Sequence, residues 1–275
     1  MRLPADWLAS GVEEAGEVRF SQPEVALYDW SAQGDRPGYP DIVETGDQVF
    51  ITETNKTHAR RHEVPPAMLA LLFAQDTAAT TATAGRVATF NESAVNSTIP
   101  APPLPDFSAG YPVDGYGATI GLWLTDHDLA RSGEVLIDTR ERAGGAGLVV
   151  SVISNDQVTN ALNVSIGDGN GTLAWVATDP PCTMLLGAAG QPHYAAVVVD
   201  AGAHLLTLVV DGVLCDGGTV APQGWSWVPP SMGNTTGRAA FRLAPDYRGR
   251  LLAGEFYSRW LYTSELVGNY RAGPP

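Results

Sequence analysis

The chain has 275 residues, of which 44% are hydrophobic and 17% charged; this composition supports a packed core and excludes a disordered chain. Its 16 Lys and Arg residues against 30 Asp and Glu residues give a formal net charge of −14, which argues against nucleic acid or an anionic membrane surface as a partner. No apolar stretch approaches the length of a membrane-spanning helix.

Residues 1–75 contain two segments in which apolar and polar residues alternate, "EVRFSQPEVALYDW" and "DIVETGDQVFITETN". A period of two predicts strands, and the Gly-Asp pair in "ETGDQ" predicts a hairpin turn. "HARRHEVP" predicts a further strand, and "PPAMLALLFAQ" predicts a short helix that begins at its prolines. Three or four strands and one helix are too few to close a domain, and an exposed sheet edge favours self-association through these strands.

Residues 76–109 differ in composition, with an Ala/Thr run at the start and several prolines near the end. This composition predicts a linker in which "GRVATF" contributes one strand.

Residues 110–275 consist of one short apolar segment after another, among them "ATIGLWLT", "GLVVSVIS", "TLAWVAT" and "HYAAVVVD". Helical periodicity is nearly absent until "TSELVGNYRAG". This spacing predicts an all-β fold, an antiparallel sandwich. Within "HLLTLVVDGVLCDGG", the pair Asp211-Gly212 predicts a tight turn in which both central residues have positive φ.

Six of the nine asparagines open an N-x-S/T triplet, which is an enrichment in acceptors for N-glycosylation. The two cysteines, Cys182 and Cys215, form either one disulfide or two buried thiols. The start of the chain lacks the apolar run of a signal peptide. We therefore expect an extracellular glycoprotein whose leader is not present in this chain, itself a piece of a longer protein. The predicted glycosylation sites are Asn55, Asn91, Asn96, Asn163, Asn170 and Asn234.

The segment "HYAAVVVDAGAHLLTLVVDGVLCDGG" resembles the central hairpin of the concanavalin A-like and laminin-G-like jelly rolls. "GATIGLWLT" resembles an early strand of that family, and "GRLLAGEFYSRWLYTSELVGNY" resembles its closing strand and the helical turn that follows. The resemblance implies a jelly-roll β-sandwich over residues 110–275. It is poor in information about the ligand, since the fold hosts lectins, hydrolases, lyases and spacers.

Many members of that family bind calcium with an acidic pair in the closing strand, where this chain has Tyr257 and Ser258. Asp126, Asp128 and Asp168 are alternative calcium ligands from loops; solvated carboxylates are the other interpretation. Ca²⁺ is accordingly the one cofactor considered. The acidic triplet that glucanases of this fold carry at i, i+2 and i+4 is missing, so this part of the chain is not expected to be catalytic.

Exposed aromatic rings bind sugars by stacking on a pyranose face, and arginine can bind an acidic sugar. The alternative for each ring is packing in the core. The candidates are Trp225 and Trp227 in "GWSW", then Trp175, Tyr247 and Tyr257, with Arg60 as a carboxylate binder.

The segment "YPDIVE…VFITETNKTHARRHE" resembles the last blade of a sialidase-like β-propeller. In that superfamily a tyrosine at the Tyr-Pro step is the covalent nucleophile, and Tyr39 matches it, with Glu24 as its partner carboxylate. The repeated Asp-box of the family is absent from this chain. The resemblance implies an N-terminal partial propeller blade, and a structural role for Tyr39 is the alternative.

Three functions follow from these patterns. The first is a carbohydrate-binding, lectin-like accessory module of a secreted sialidase-like glycoside hydrolase, with a glycan or polysaccharide as partner. The second is the C-terminal part of a catalytic exo-sialidase-like enzyme. The third is a structural spacer without a ligand.

Overall fold

The structure is a computed structural model that describes residues 11–14, 17–24, 38–54, 59–109, 116–125, 133–153, 161–178, 190–215 and 225–274. Contacts divide the chain into two units. The first comprises residues 1–78 with 262–265, and the second comprises residues 79–261 with 266–275.

The first unit contains five short strands and one helix. Strands β1 and β2 form an antiparallel pair, and β3, β4 and β5 form an antiparallel sheet in that order. The predicted turn at Gly46 and the predicted helix α1 are both confirmed, and α1 buries Met68 and Leu72. The assignment of this sheet to a propeller stays a prediction. The elements are β1 (Gly11–Glu14), β2 (Glu17–Phe20), β3 (Gly38–Thr45), β4 (Gln48–Thr54), β5 (Ala59–Val64) and α1 (Pro66–Ala74).

The second unit contains a large sheet, a four-stranded sheet and a small two-stranded sheet, all paired antiparallel. The strand order of the large sheet is β15 (Val213–Leu214), β14 (Leu205–Val210), β13 (Pro192–Asp200), β8 (Gly117–Thr125), β18 (Arg250–Tyr257) and β6 (Arg86–Asn91), with β16 (Trp225–Trp227) also paired to β14. The four-stranded sheet runs β12 (Leu173–Ala177), β11 (Ala161–Asp168), β10 (Ala146–Ile153) and β9 (Val135–Asp138). Strand β7 (Thr98–Pro100) pairs with β17 (Ala240–Arg242), and helix α2 (Thr263–Ala272) lies near the end of the chain.

The hydrophobic core lies between the large sheet and the four-stranded sheet. Alternate residues of each strand point inward, because side chains in a strand alternate between its two faces. This arrangement confirms the predicted fold class, an all-β antiparallel jelly-roll sandwich. Inward-facing residues include Ile120, Leu122 and Leu124 of β8, Val197 and Val199 of β13, Val150 and Val152 of β10, and Val164 and Ile166 of β11.

The outer face of the large sheet is covered by a second apolar cluster. Trp123 and Tyr194 of the sheet pack with Leu266 and Tyr270 of α2, and the rings of Trp123 and Tyr270 stack at 6.0 Å between centroids. Beneath the helix, Asn269 Nδ2 donates to Glu255 Oε1 at 2.8 Å and to Tyr194 Oη at 3.2 Å. The central strands of this sheet are therefore buried on both faces, whereas its edge strand β6 has Val87 exposed.

Residues 76–109 differ from the linker that their composition predicts. The strand predicted at "GRVATF" is β6, and it pairs with β18 at the edge of the large sheet, while β7 pairs with β17. The composition did not reveal strand β7 or the pairing of β6, because the partners of both strands lie far away in the sequence. The contacts place residues 79–109 with the sandwich.

The turn at Asp211-Gly212 joins β14 to β15, with φ of 50° at Asp211 and 76° at Gly212. Both values are positive, as the sequence predicts. The Asp211 carboxylate accepts hydrogen bonds from Tyr194 N at 2.8 Å and lies 2.7 Å from His193 Nδ1. The doubled-back segment is thus attached to the neighbouring strand β13.

We expect Gly212→Ala to destabilise the protein more than Gly144→Ala. Both glycines have a similar positive φ, 76° and 73°, which costs a residue with a Cβ about 1–2 kcal/mol. A Cβ at Gly212 would also lie 3.0 Å from Tyr270 Cδ1, whereas one at Gly144 meets nothing within 4 Å. Thermal unfolding of both variants measures the difference, and equal losses would contradict the role of the Tyr270 contact.

Candidate functional site

The outer face of the four-stranded sheet carries a row of side chains that crosses all four strands. The register places Trp175 of β12 opposite Ser165 of β11, Ser165 opposite Val149 of β10, and Val149 opposite Asp138 of β9. Neighbouring strands lie about 4.8 Å apart, so the row is about 14 Å long. In the next row, Asn163 lies opposite Ser151. We call all six of these side chains except Val149 the polar face: Trp175, Ser165, Asn163, Ser151 and Asp138.

Trp175 provides an exposed aromatic surface at one end of this face. Its neighbours along the strand, Ala174 and Val176, point into the core, so the indole points outward and is 43% exposed. Leu173 lies two residues away on the same face and is 58% exposed. Towards the middle of the sheet, Val149 and Ser151 are buried, with exposed fractions of 8% and 9%.

Asp138 and Arg140 form a bidentate ion pair at the other end of the face. Arg140 Nε donates to Asp138 Oδ1 at 3.0 Å, and Arg140 Nη2 donates to Oδ2 at 2.9 Å. Burial alone would raise the pKa of Asp138, but the hydrogen bonds from Arg140 and the charges of Arg140 and Arg238 outweigh it and hold the pKa below its ordinary value. Asp138 is therefore ionised at neutral pH.

The backbone around Arg140 is held in place by neighbouring segments. Thr139 Oγ1 accepts a hydrogen bond from Leu148 N at 2.8 Å, so Thr139 is fixed inward while Asp138 and Arg140 point outward. Arg238 N donates to Thr139 O at 2.7 Å, and the Arg238 guanidinium donates to Arg140 O. A Cβ at Gly237 would collide with Thr139 O, so this approach requires glycine.

Trp225 and Trp227 lie on β16, an edge strand of the large sheet, and not in the loop that the sequence predicts. The two residues point to the same side, and their rings meet edge to face at 5.4 Å between centroids. Both are half-buried. Each ring thus covers part of the other, and less of either surface is open to a ligand than at Trp175.

The remaining predicted ligand-binding residues are Tyr257, Tyr247 and Arg60. Tyr257 is fully buried and its hydroxyl donates to Ala82 O at 2.9 Å, so its prediction as a binding ring is corrected. Tyr247 is half-buried, packs against the core and donates to Thr125 O at 3.0 Å. Arg60 lies on β5 in the first unit, whereas the tyrosines lie in the second.

Of the three predicted metal ligands, only Asp168 lies within the described residues. Its carboxylate accepts hydrogen bonds from the backbone N–H groups of Asn170, Thr172 and Gly233. Burial acts to raise the pKa of Asp168, yet these donors lower it overall. Asp168 thus caps a turn, and the described residues contain no group of three or more His, Cys, Asp or Glu side chains placed to hold a metal. Asp126 and Asp128 fall outside the described residues, so calcium binding stays a prediction.

The predicted disulfide also stays a prediction, because Cys182 lies outside the described residues. Cys215 is buried in the core. Among the predicted glycosylation sites, Asn55 is not described, and Asn163 is half-buried in the middle of β11. The exposed sites are Asn91, Asn96, Asn170 and Asn234.

Glu24, predicted as the carboxylate partner of Tyr39, is buried against the start of α2. Ser264 N donates to Glu24 Oε1 at 3.1 Å and to Oε2 at 3.2 Å. Burial raises the pKa of Glu24 to about 8, although the backbone hydrogen bonds act in the opposite direction. Glu24 is therefore largely protonated at neutral pH, which suits a structural group better than a base. The side chain of Tyr39 is outside the described part of the structure.

Sequence reasoning named Trp175 only as a further candidate and missed Asp138 and Arg140 as parts of a site. The signal for Trp175 was present in "TLAWVAT", where it alternates with small or branched apolar residues. Asp138 and Arg140 are two residues apart across Thr139, which also indicates a shared face. Their position opposite Trp175 required the register of four strands.

No protein-family model matches the chain, and no curated protein sequence matches it. Among solved structures, the CBM40 of the Ruminococcus gnavus IT-sialidase bound to α2,6-sialyllactose matches with 11% identity and a TM-score of 0.38, covering 66% of this chain and 98% of that one. The binding domain of botulinum neurotoxin DC matches with 7% identity and a TM-score of 0.41, covering 96% of this chain and 50% of that one. The SAP-like pentraxin of Limulus polyphemus matches with 12% identity and a TM-score of 0.34, covering 69% and 78%. These scores are below 0.5, so the matches carry no argument about the ligand of this chain.

The described helices include none that is long and apolar enough to cross a membrane.

We expect the stability of the chain to fall as the pH rises, because of Glu24. An acid whose pKa is raised in the folded state binds its proton more tightly there than in the unfolded chain. The contribution of Glu24 to the free energy of unfolding is therefore complete below about pH 4.5 and is lost as the pH rises towards 8. The slope across this window is about 1.4 kcal/mol per pH unit.

Glu24→Gln keeps an acceptor for Ser264 N and removes the ionisation, so it should flatten this slope in chemical denaturation between pH 5 and pH 8. Glu44→Gln, at an exposed position of β3, is the control and should leave the slope unchanged. An unaltered slope in Glu24→Gln would show that Glu24 does not carry the pH dependence.

Proposed function

We propose that this chain is a carbohydrate-binding module whose ligand lies on the polar face of the four-stranded sheet. The observation that carries the proposal is the exposed indole of Trp175, which adjoins small polar side chains on a sheet face. On the large sheet, α2 and its apolar cluster cover the outer face of the central strands, whereas the four-stranded sheet exposes Trp175 and Leu173 on its outer face at the β12 edge.

The chemistry of the face matches that of a sugar. A pyranose ring has a C–H face that stacks on an aromatic ring, and its hydroxyl groups hydrogen-bond to polar side chains at its rim. Trp175 supplies the ring, and Ser165, Asn163 and Asp138 supply donors and acceptors across the sheet. A flat sheet with short side chains allows an extended ligand to lie along the row.

The wider context belongs to the same proposal. The resemblance of residues 1–75 to a propeller blade and the abundance of N-x-S/T triplets support an accessory module of a secreted, sialidase-like glycoside hydrolase. A protonated Glu24 cannot accept the proton of Tyr39, which disfavours this pair as a nucleophile and its base. The alternative of a spacer without ligand is an outcome of the binding test below.

Binding at the polar face requires Asn163 to carry no N-glycan, because a glycan there would cover the row. The position favours this outcome, since Asn163 lies in a central strand between β10 and β12. Peptide mass mapping of protein secreted from eukaryotic cells should find glycans at the exposed sites Asn170 and Asn234 and none at Asn163. Full occupancy at Asn163 would contradict the placement of the ligand.

We expect Trp175→Ala to weaken glycan binding about 5- to 150-fold, since a ring stacked on an aromatic side chain contributes about 1–3 kcal/mol. A glycan array with the intact chain identifies ligands, and isothermal titration then measures the variants. Leu173→Ala is the matched control, because Leu173 is also exposed on the same strand and the same face.

Two results would overturn the proposal. If no glycan binds the intact chain, the chain is better described as a spacer. If Trp225→Ala or Trp227→Ala abolishes binding while Trp175→Ala does not, the ligand binds at β16 and the polar face is not the site.

A further inference from the structure

We infer that the ligand of the polar face is a neutral oligosaccharide, and that the Asp138–Arg140 pair binds two adjacent hydroxyl groups of one of its sugars. This inference rests on the proposed function, because it specifies the chemical class of the ligand at the same site. It depends on how the hydrogen-bonding groups of the pair are already used.

The pair presents an acceptor and donors side by side. Asp138 Oδ1 accepts from Arg140 N and Arg140 Nε, whereas Oδ2 accepts only from Arg140 Nη2 among the described residues. One lone pair of Oδ2 is therefore open to a hydroxyl donor. The guanidinium has five N–H donors, of which two are used by Asp138, so others remain for a neighbouring hydroxyl oxygen. A vicinal diol offers a donor and an acceptor at matching positions.

An acidic sugar is disfavoured at this position. A ligand carboxylate that approached the remaining Arg140 donors would lie beside the ionised carboxylate of Asp138, which already neutralises the guanidinium in a bidentate arrangement and repels a second negative charge. The formal charges of Asp138, Arg140, Glu141, Arg142 and Arg238 sum to +1, so the neutral class of the ligand rests on the pairing of Arg140 with Asp138 and not on the local charge. The whole chain is also strongly acidic, with a net charge of −14.

The dimensions of the row indicate more than one sugar. Trp175 and Asp138 lie three strand spacings apart, about 14 Å, which exceeds the length of one pyranose ring. A ligand that stacks on Trp175 and reaches Asp138 must therefore be an oligosaccharide.

The test uses isothermal titration of the intact chain with neutral oligosaccharides of two to four units, each compared with a counterpart that carries one terminal sialic acid. We expect the neutral member of each pair to bind more tightly. Asp138→Asn should weaken the neutral ligands about tenfold, by loss of a charge-assisted hydrogen bond, and should strengthen the sialylated ones by leaving Arg140 unpaired.

Glu141→Gln is the control, because it removes one negative charge from the adjoining exposed turn without touching the pair. It should leave both affinities nearly unchanged. Tighter binding of the sialylated ligands would overturn this inference and leave the carbohydrate-binding function standing. If Asp138→Asn binds neutral ligands as tightly as the unaltered chain does, the Asp138–Arg140 pair does not contact the ligand. If the intact chain binds no oligosaccharide at all, the proposed function is wrong as well.

Discussion

The structure of the second unit depends on the burial of one face of each sheet against the other. Ile120, Leu122 and Leu124 of β8 face Val150 and other branched residues of the four-stranded sheet, and all of them are almost completely buried. Each buried aliphatic side chain contributes about 1.5–3 kcal/mol relative to an exposed one. Since side chains alternate along a strand, this inward set also determines which residues face outward, including Trp175.

The outer faces of the two sheets differ: helix α2 packs on that of the large sheet, whereas that of the four-stranded sheet carries the exposed Trp175. On the large sheet, Asn269 of α2 reaches Glu255 and Tyr194, and its Oδ1 accepts from Ala82 N at 2.7 Å. Gly121 makes room for this network, because a Cβ there would lie 2.7 Å from Tyr194 Oη. Disruption of this network lowers the free energy of unfolding, since each buried polar group left unpaired costs about 1–3 kcal/mol. The outer face of the large sheet thus packs against α2, and the proposed ligand binds the outer face of the four-stranded sheet.

Most of the architecture could be predicted from local patterns. The alternation in β10, β11 and β12, the turn at Asp211-Gly212 and the proline start of α1 are each encoded within a few neighbouring residues. What escaped prediction involves partners far apart in sequence. The strand β6 was predicted, but its pairing with β18, more than 150 residues later, was not, and neither was the contact of Glu24 with Ser264 at a separation of 240 residues. Composition cannot reveal such pairs.

The site was partly predictable for the same reason. Each of its residues has a local signal, but their assembly into one row depends on the registers of three strand pairs. Aromatic content placed Trp225 and Trp227 first and Tyr257 among the further candidates, and burial then distinguished them: Tyr257 is enclosed, and the two tryptophans cover each other. The burial of a residue depends on neighbours from distant segments, so it cannot be predicted from one segment of the sequence.

The most direct measurement of the central claim is NMR of the indole N–H groups during titration with a bound oligosaccharide. The chain has seven tryptophans, and their N–H signals can be assigned by single substitution. If the ligand lies on the polar face, the Trp175 signal should shift strongly, together with the amides of Ser165 and Asp138. A saturable shift confined to Trp225 and Trp227, with Trp175 unmoved, would contradict the account.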